Sequence, residues 1–157
     1  MTAWRDQVAL VTGGARGIGR ATARLPAQRG AAVCVNYAAR ADSADGLAGE
    51  IVAGGGRAIS AMADVAEPAA VEAMVVRTEK ELGPVTILVN TRVCRGVARW
   101  TPMTWSKLLA SARSMLKIHA TRAVIGGMRA RRYGRIVNIS SIRHSLAWQC
   151  LLRCDQV

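Results

Sequence analysis

The 157-residue sequence contains no phenylalanine, two tyrosines and four cysteines, none of them in a Cys-x-x-Cys pair. Because Cys34, Cys94, Cys150 and Cys154 lack the spacing of a zinc ribbon or a disulfide framework, we expect reduced thiols and no metal site. No apolar run is long enough for a transmembrane helix, and the N-terminus lacks the basic-then-apolar order of a signal peptide. These absences predict a cytoplasmic protein with no membrane partner.

Acidic residues are scarce in the second half of the chain. Residues 1–85 carry nine basic and nine acidic side chains, whereas residues 86–157 carry thirteen basic side chains and one acid, Asp155. The whole formal net charge of +12 therefore lies in the second half. Such asymmetry can indicate a nucleic-acid-binding segment. Because these arginines are scattered among tryptophan, cysteine and methionine, nucleic-acid binding is the weakest alternative, and we expect no nucleic-acid partner.

What the sequence does contain is a glycine-rich segment between a strand pattern and a helix pattern. Gln7–Thr12 is apolar and β-favouring, and the helical pattern that follows covers Ile18–Arg29. A dinucleotide pyrophosphate binds to this order of strand, turn and helix. Gly13 can adopt a backbone conformation that other residues avoid, Gly17 allows close approach of the phosphates, and Gly19 allows the helix to pack on the strand.

Strand and helix patterns alternate through the rest of the chain. They predict strands over Ala31–Asn36, Arg57–Ala63, Val85–Asn90 and Arg135–Ser140, and helices over Ser43–Ala53, Pro68–Leu82 and within Thr104–Met128. Pro26 should kink or shorten the first helix. Continuous apolar strands separated by helices are typical of the doubly wound α/β class, in which a parallel sheet is covered on both faces. We therefore predict a single Rossmann-type domain over residues 1–157.

Four segments carry a resemblance to a known family. They are VALVTGGARGIG at Val8–Gly19, AMADV at Ala61–Val65, LGPVTILVN at Leu82–Asn90 and YGRIVNISS at Tyr133–Ser141. In this order, the chain resembles the short-chain dehydrogenase/reductase family, most closely its NADPH-dependent 3-oxoacyl-acyl-carrier-protein reductases. The resemblance implies an oxidoreductase of fatty acid synthesis that acts on a small-molecule or carrier-bound carbonyl substrate. It covers only part of the family fold, which implies truncation after about the fifth strand.

The resemblance also implies a role for each matching residue. Asp64 and Val65 would contact the adenine, Asn90 would lie beside the cofactor, and Ser141 would hold the substrate carbonyl during hydride transfer. The full set of expected cofactor-binding residues is Thr12, Gly13, Arg16, Gly17, Ile18, Gly19, Arg40, Asp64, Val65 and Asn90.

The residues that follow the second strand indicate which nicotinamide cofactor is preferred. An NAD enzyme needs an acid there to accept a hydrogen bond from the ribose 2′-hydroxyl, but the sequence has Asn36 and Tyr37 and no carboxylate before Asp42. Arg16 and Arg40 are instead placed to meet a 2′-phosphate. The sequence therefore predicts NADP(H).

Three departures from the family pattern bear on activity. The helix before the fifth strand lacks, near Ala112 and Arg113, the asparagine that supports the family's proton relay. The family sequence Asn-Asn-Ala-Gly is replaced by Asn90-Thr91-Arg92-Val93, which puts a long cation where small residues are expected. The family's Tyr-x-x-x-Lys pair, whose tyrosine protonates the forming alkoxide, is missing, and the tyrosine position counted from Ser141 falls at Cys154. We therefore expect no ketoreductase activity, and a binding module without catalysis is the main alternative.

A shift of reading frame is a hypothesis that explains these departures together. Deleting one base from codons for Asn-Asn-Ala-Gly gives Asn-Thr-Arg-Val, the sequence at Asn90–Val93. The family pattern returns at Arg122–Ser141 and is lost again over residues 142–157. On this hypothesis the basic excess carries no information about a partner, and we do not expect the truncated chain to form the family's oligomer.

Overall fold

Val8–Thr12 forms the central strand of a parallel sheet in the computed structural model, which describes residues 3–91 and 116–139. Within these residues the strands are β1 Val8–Thr12, β2 Ala32–Tyr37, β3 Ala58–Met62, β4 Ile87–Asn90 and β5 Arg135–Asn138. Their order in the sheet is β3-β2-β1-β4-β5, and every neighbouring pair is parallel. The predicted doubly wound α/β fold is therefore confirmed.

Helices connect the strands and cover the sheet. They are α1 Gly17–Gln28, α2 Ala41–Ala53, α3 Pro68–Leu82 and α4 Leu116–Ala130, and a short 3-10 helix at Trp4–Asp6 precedes β1. Each predicted element that falls within the described residues is present, and its ends differ from the prediction by no more than two residues. Residues 104–115 of the helix predicted within Thr104–Met128 lie outside the described part. Of the helices described, none has the length and apolarity to cross a membrane.

Pro26 lies in the last turn of α1, where its side chain is buried. The helix ends two residues after it, at Gln28. The Pro26 carbonyl accepts hydrogen bonds from the backbone N–H groups of Arg29 (3.1 Å) and Ala31 (3.0 Å). These bonds satisfy a carbonyl at the helix end and lead the chain directly into β2.

Both faces of the sheet are buried, which is why the strands appear as uninterrupted apolar runs in the sequence. Leu10 and Val11 are neighbours in β1, so their side chains point to opposite faces, and both are fully buried. Leu10 lies on the face covered by α3 and α4, in a core cluster that includes Val71 of α3 and Val124 of α4. Val11 belongs to the other cluster, on the face covered by α1 and α2.

A threonine side chain links β1 to the segment that leads into β4. Thr86 Oγ1 accepts a hydrogen bond from the Val8 N–H (3.0 Å) and donates one to the Val8 carbonyl (3.2 Å). In the same register, Ala9 pairs with Ile87 and Thr12 with Asn90. The carboxyl ends of β1 and β4 therefore lie side by side.

The Cys34 thiol lies in the middle of β2 and is completely buried. Desolvation by burial raises the pKa of Cys34 from 9.0 to about 11, and a hydrogen bond with Thr78 offsets part of this rise. Because the thiolate is the reactive form, Cys34 should resist alkylation as long as the protein is folded.

We predict that Cys34 makes the fold less stable as the pH rises from 9 to 11. In this window the unfolded thiol releases its proton while the folded thiol keeps it, so the free energy of unfolding falls by up to about 1.4 kcal/mol per pH unit. Urea unfolding of the wild type and Cys34→Ala across this range measures the effect. The variant keeps every other titrating group, so it should show a shallower decline; equal pH slopes for the two proteins would contradict the prediction.

Candidate functional site

The glycine-rich turn between β1 and α1 is held by the end of β2. Gly13 and Gly17 adopt φ angles of 66° and 52°, in the left-handed region that favours glycine. The N–H of Gly13 donates to Asn36 Oδ1 (3.2 Å), and the N–H of Gly14 donates to the Asn36 carbonyl (2.9 Å). One residue of β2 therefore orients two consecutive amides of the turn.

Gly17 and Gly19 have opposite surroundings. A methyl group at Gly19 would lie 2.3 Å from the Gly13 carbonyl oxygen and 2.8 Å from Thr91 Oγ1, so only glycine fits there. A methyl group at Gly17 would have no heavy atom within 4 Å. Gly19 therefore lets α1 pack against the turn, and Gly17 leaves the outer side of the turn open to an approaching ligand.

The first turn of α1 faces this open side. Backbone N–H groups at a helix start have no intrahelical acceptors and carry partial positive charge. Arg16, the residue that precedes α1, provides no side-chain cap for them. The side chain of Ile18 is 65% exposed in the same turn. This arrangement suits an anionic group that lies against the Gly13–Gly19 turn.

Two exposed arginines flank the carboxyl ends of β1 and β2. Arg16 precedes α1 and Arg40 precedes α2, and both side chains are exposed. Neither forms an ion pair with any residue in the described ranges 3–91 and 116–139. By contrast, Arg20 and Arg24 of α1 both bind Glu50 of α2, at 2.6 and 2.5 Å. Arg16 and Arg40 therefore keep their charge available to a ligand.

Asn36 has a larger role than the sequence indicates. The sequence identifies it only as the place where an acid is missing, whereas in the structure its side chain is buried and hydrogen-bonded through both Oδ1 and Nδ2. Oδ1 accepts from Gly13, and Nδ2 donates to the carbonyls of Tyr37 (3.3 Å), Ala61 (3.3 Å) and Ala63 (3.0 Å). Asn36 thus joins the turn after β1 to the end of β3.

Asp64 and Val65 follow β3 and lead into α3. Asp64 is exposed; its Oδ1 accepts from the Ala66 N–H (3.0 Å) and its carbonyl accepts from the Glu67 N–H (3.0 Å). The second carboxylate oxygen of Asp64 has no protein partner among the described residues. The Val65 side chain lies in the core, only 3% exposed, so any contact between Val65 and a ligand would come from its backbone.

Three polar side chains cross the carboxyl edge of the sheet in register. Thr12 of β1 pairs with Asn90 of β4, which pairs with Asn138 of β5. Asn90 is buried and donates from Nδ2 to Asn138 Oδ1 (2.9 Å). Asn138 is a candidate site residue that the sequence analysis missed, and only the pairing of β4 with β5 reveals its place.

Ser141 lies outside the described residues, as do Arg92, Val93 and Cys154. Tyr133 is described and lies just before β5, at the amino edge of the sheet, where Arg135 stacks on its ring with the guanidinium 5.2 Å from the centroid. Since the candidate site lies at the carboxyl edge, Tyr133 is at the opposite end of the sheet. No group of three or more His, Cys, Asp or Glu side chains that could hold a metal ion occurs in the described ranges.

A parallel sheet with an open glycine turn at the carboxyl end of its central strand is characteristic of the Rossmann-like fold class. The sequence model for short chain dehydrogenases matches residues 7–151. The chain therefore belongs to the short-chain dehydrogenase family of oxidoreductases, as the resemblance indicated.

Similar proteins include several reductases. The chain is 38% identical to a 3-oxoacyl-acyl-carrier-protein reductase of Synechocystis sp. over 90% of its length, and 39% identical to an acetoacetyl-CoA reductase of Paracoccus denitrificans over 87%. It spans 58% and 55% of the lengths of these two proteins.

Two solved structures with bound cofactor have similar folds. A short chain dehydrogenase from Burkholderia cenocepacia in complex with NADP has a TM-score of 0.76 and 34% identity, covering 89% of this chain and 57% of that one. A blue fluorescent protein from a metagenomic library, in complex with NADPH, has a TM-score of 0.76 and 32% identity over the same shares of the two chains.

Proposed function

We propose that the chain is a single NADP(H)-binding domain whose Gly13–Gly19 turn holds the cofactor pyrophosphate. The observation that carries this proposal is the contrast between Gly19, where no side chain fits, and Gly17, where the turn is open. Thr12 ends β1 directly before this turn, and Ile18 is exposed at the start of α1. The two similar structures that contain NADP and NADPH support the choice of ligand class.

The preference for NADP(H) over NAD(H) rests on charge. Arg16 and Arg40 are exposed and lie beside the ends of β1 and β2, where the adenosine ribose binds in this fold class. A guanidinium forms strong charge-assisted hydrogen bonds with a phosphate. Asn36 is a poor replacement for the acid of an NAD enzyme, since its Oδ1 accepts from the turn and its Nδ2 donates to three carbonyls.

The remaining roles follow the family pattern. The free carboxylate oxygen of Asp64 and the backbone of Val65 would contact the adenine, and Asn90 would lie beside the nicotinamide ribose. Ser141 would hold the substrate carbonyl. Bound NADPH would supply the hydride, and the names of the two reductase relatives favour a 3-oxoacyl thioester, free or carrier-bound, as the substrate. We also propose a cytoplasmic location for this chemistry.

We propose further that this 157-residue chain binds the cofactor but transfers no hydride by itself. Reduction of a ketone needs an acid that protonates the forming alkoxide. The only tyrosines are Tyr37 and Tyr133, neither followed by lysine four residues later, and Tyr133 lies at the wrong edge of the sheet.

A titration with NADPH, followed by nicotinamide fluorescence, tests the binding proposal. We expect saturable binding, with an affinity for NADH at least about tenfold lower, because one charge-assisted phosphate contact is worth more than 1.4 kcal/mol. Adding acetoacetyl-CoA should cause no loss of nicotinamide absorbance. No saturable binding would contradict the assignment of the turn, whereas absorbance loss would contradict only the proposed inactivity.

A further inference from the structure

Thr91 directly follows β4, at a position where the short-chain dehydrogenase family pattern has an asparagine. In the structure it forms a reciprocal pair with Thr12 at the end of β1. Thr91 Oγ1 donates to the Thr12 carbonyl (2.6 Å), and the Thr91 N–H donates to Thr12 Oγ1 (3.2 Å). Thr12 Oγ1 also donates to the Val89 carbonyl (3.4 Å). The two threonines therefore tie together the carboxyl ends of the neighbouring strands β1 and β4.

The same hydroxyl also contacts helix α1. Thr91 Oγ1 lies 2.8 Å from the position that a methyl group at Gly19 would occupy, so it fills the space that this glycine leaves. The Gly13 carbonyl borders that space from the other side. Thr91 thus lies between the end of β1 and the first turn of α1, directly beside the glycine turn.

The strand order places Thr91 on one side of the turn only. Along the sheet, β2 lies on one side of β1 and β4 on the other. Asn36 and Arg40 belong to the β2 side, where the adenosine half of a dinucleotide binds in this fold class. Thr91 belongs to the β4 side, towards the pyrophosphate and the nicotinamide half.

We propose that Thr91 is a positioning residue for the glycine turn, and that its hydroxyl fixes the turn for the pyrophosphate–nicotinamide half of NADPH. This inference rests on the proposed function. It assigns a role to a residue that departs from the family pattern: the threonine at this position completes the cofactor site.

Binding measurements on Thr91→Ala and Thr91→Ser test the proposal. Alanine removes the hydroxyl, and serine keeps it while removing only the methyl group. We expect Thr91→Ala to raise the NADPH dissociation constant about tenfold, the loss expected for one strong hydrogen bond, and Thr91→Ser to stay near wild type. The affinity for 2′-AMP, which carries the 2′-phosphate but lacks the pyrophosphate and the nicotinamide half, should change by less than about twofold in either variant.

Each result bears on the proposal. An equal loss of affinity for NADPH and 2′-AMP, or a Thr91→Ser variant as weak as Thr91→Ala, would show a general structural effect and overturn the positioning role. A wild type that binds neither ligand would contradict the proposed function instead.

Hydrogen exchange without ligand tests the same role independently of cofactor binding. Thr91→Ala should speed amide exchange in residues 13–19 while leaving β3, Ala58–Met62, at the wild-type rate. Unchanged exchange in residues 13–19 would overturn the inference even if the chain binds no cofactor.

Discussion

Replacing Gly19 with alanine should strongly weaken NADPH binding and destabilise the fold. The added methyl group would lie 2.3 Å from the Gly13 carbonyl oxygen, which is backbone and can move only if the whole turn moves. We expect the free energy of unfolding to fall by about 3 kcal/mol, the upper range for overpacking at a fixed site. Because the displaced turn is also the proposed phosphate site, affinity for NADPH should fall by about a hundredfold or more. Urea unfolding and a fluorescence titration measure the two effects.

Gly49→Ala is the matched control for this substitution. Gly49 is an exposed residue within α2, and a methyl group there would have no heavy atom within 4 Å. The same chemical change should therefore stabilise the protein by about 0.5–1 kcal/mol, because alanine favours the helix, and should leave NADPH affinity unchanged. If Gly19→Ala behaved like Gly49→Ala, the close packing of α1 against the turn would not exist in solution.

Replacing Asn36 with aspartate should destabilise the protein and fail to create a preference for NADH. In many dinucleotide-binding proteins an acid at the end of the second strand binds the ribose, so this is the obvious substitution to try. Here, however, Asn36 Nδ2 donates to three carbonyls in a buried site, and a carboxylate oxygen in its place would face the oxygens of Tyr37, Ala61 and Ala63. We expect a loss of about 3 kcal/mol in the free energy of unfolding.

Asn138→Asp makes the same change where it should be tolerated. Asn138 is exposed, and its Oδ1 accepts a hydrogen bond from Asn90, a role that a carboxylate oxygen fills equally well. The free energy of unfolding of the Asn138→Asp variant should stay within about 0.5 kcal/mol of the wild-type value. Thermal unfolding of both variants, with NADPH and NADH titrations, completes the comparison. A stable Asn36→Asp variant with improved NADH affinity would contradict the structural role assigned to Asn36.

The fold and the glycine turn could be predicted because their signals are local. The apolar run of β1, the glycines and the start of α1 lie within Val8–Gly19, so the strand–turn–helix unit appears in one short segment. The alternation of apolar strands with helices likewise predicted a parallel sheet covered on both faces. Element ends were less accurate because final turns and strand ends depend on hydrogen bonds to distant segments, such as the bond from Ile139 to the Asn90 carbonyl.

The side-chain bonds that complete the site could not be predicted, because they join residues far apart in the chain. Asn36 binds Gly13 across 23 positions, Asn90 binds Asn138 across 48, and Thr91 binds Thr12 across 79. In the sequence, Asn36 stood out only because an acid is missing at its position, and Thr91 only because it departs from a family motif. The position of Val65 also required the structure, since its core packing leaves only its backbone to meet a ligand.

The bonds between Thr86 and Val8 have a consequence for how the chain folds during synthesis. Strands β1, β2 and β3 all lie within residues 8–62 and can assemble as soon as that segment leaves the ribosome. The second edge of β1 is completed only by β4, and the Thr86–Val8 pair spans 78 positions. At roughly 5–20 residues per second, translation leaves that edge unpaired for roughly 4–16 s. Of the five described strands, the central strand β1 is thus synthesised first. For several seconds its second edge can pair with the wrong strand.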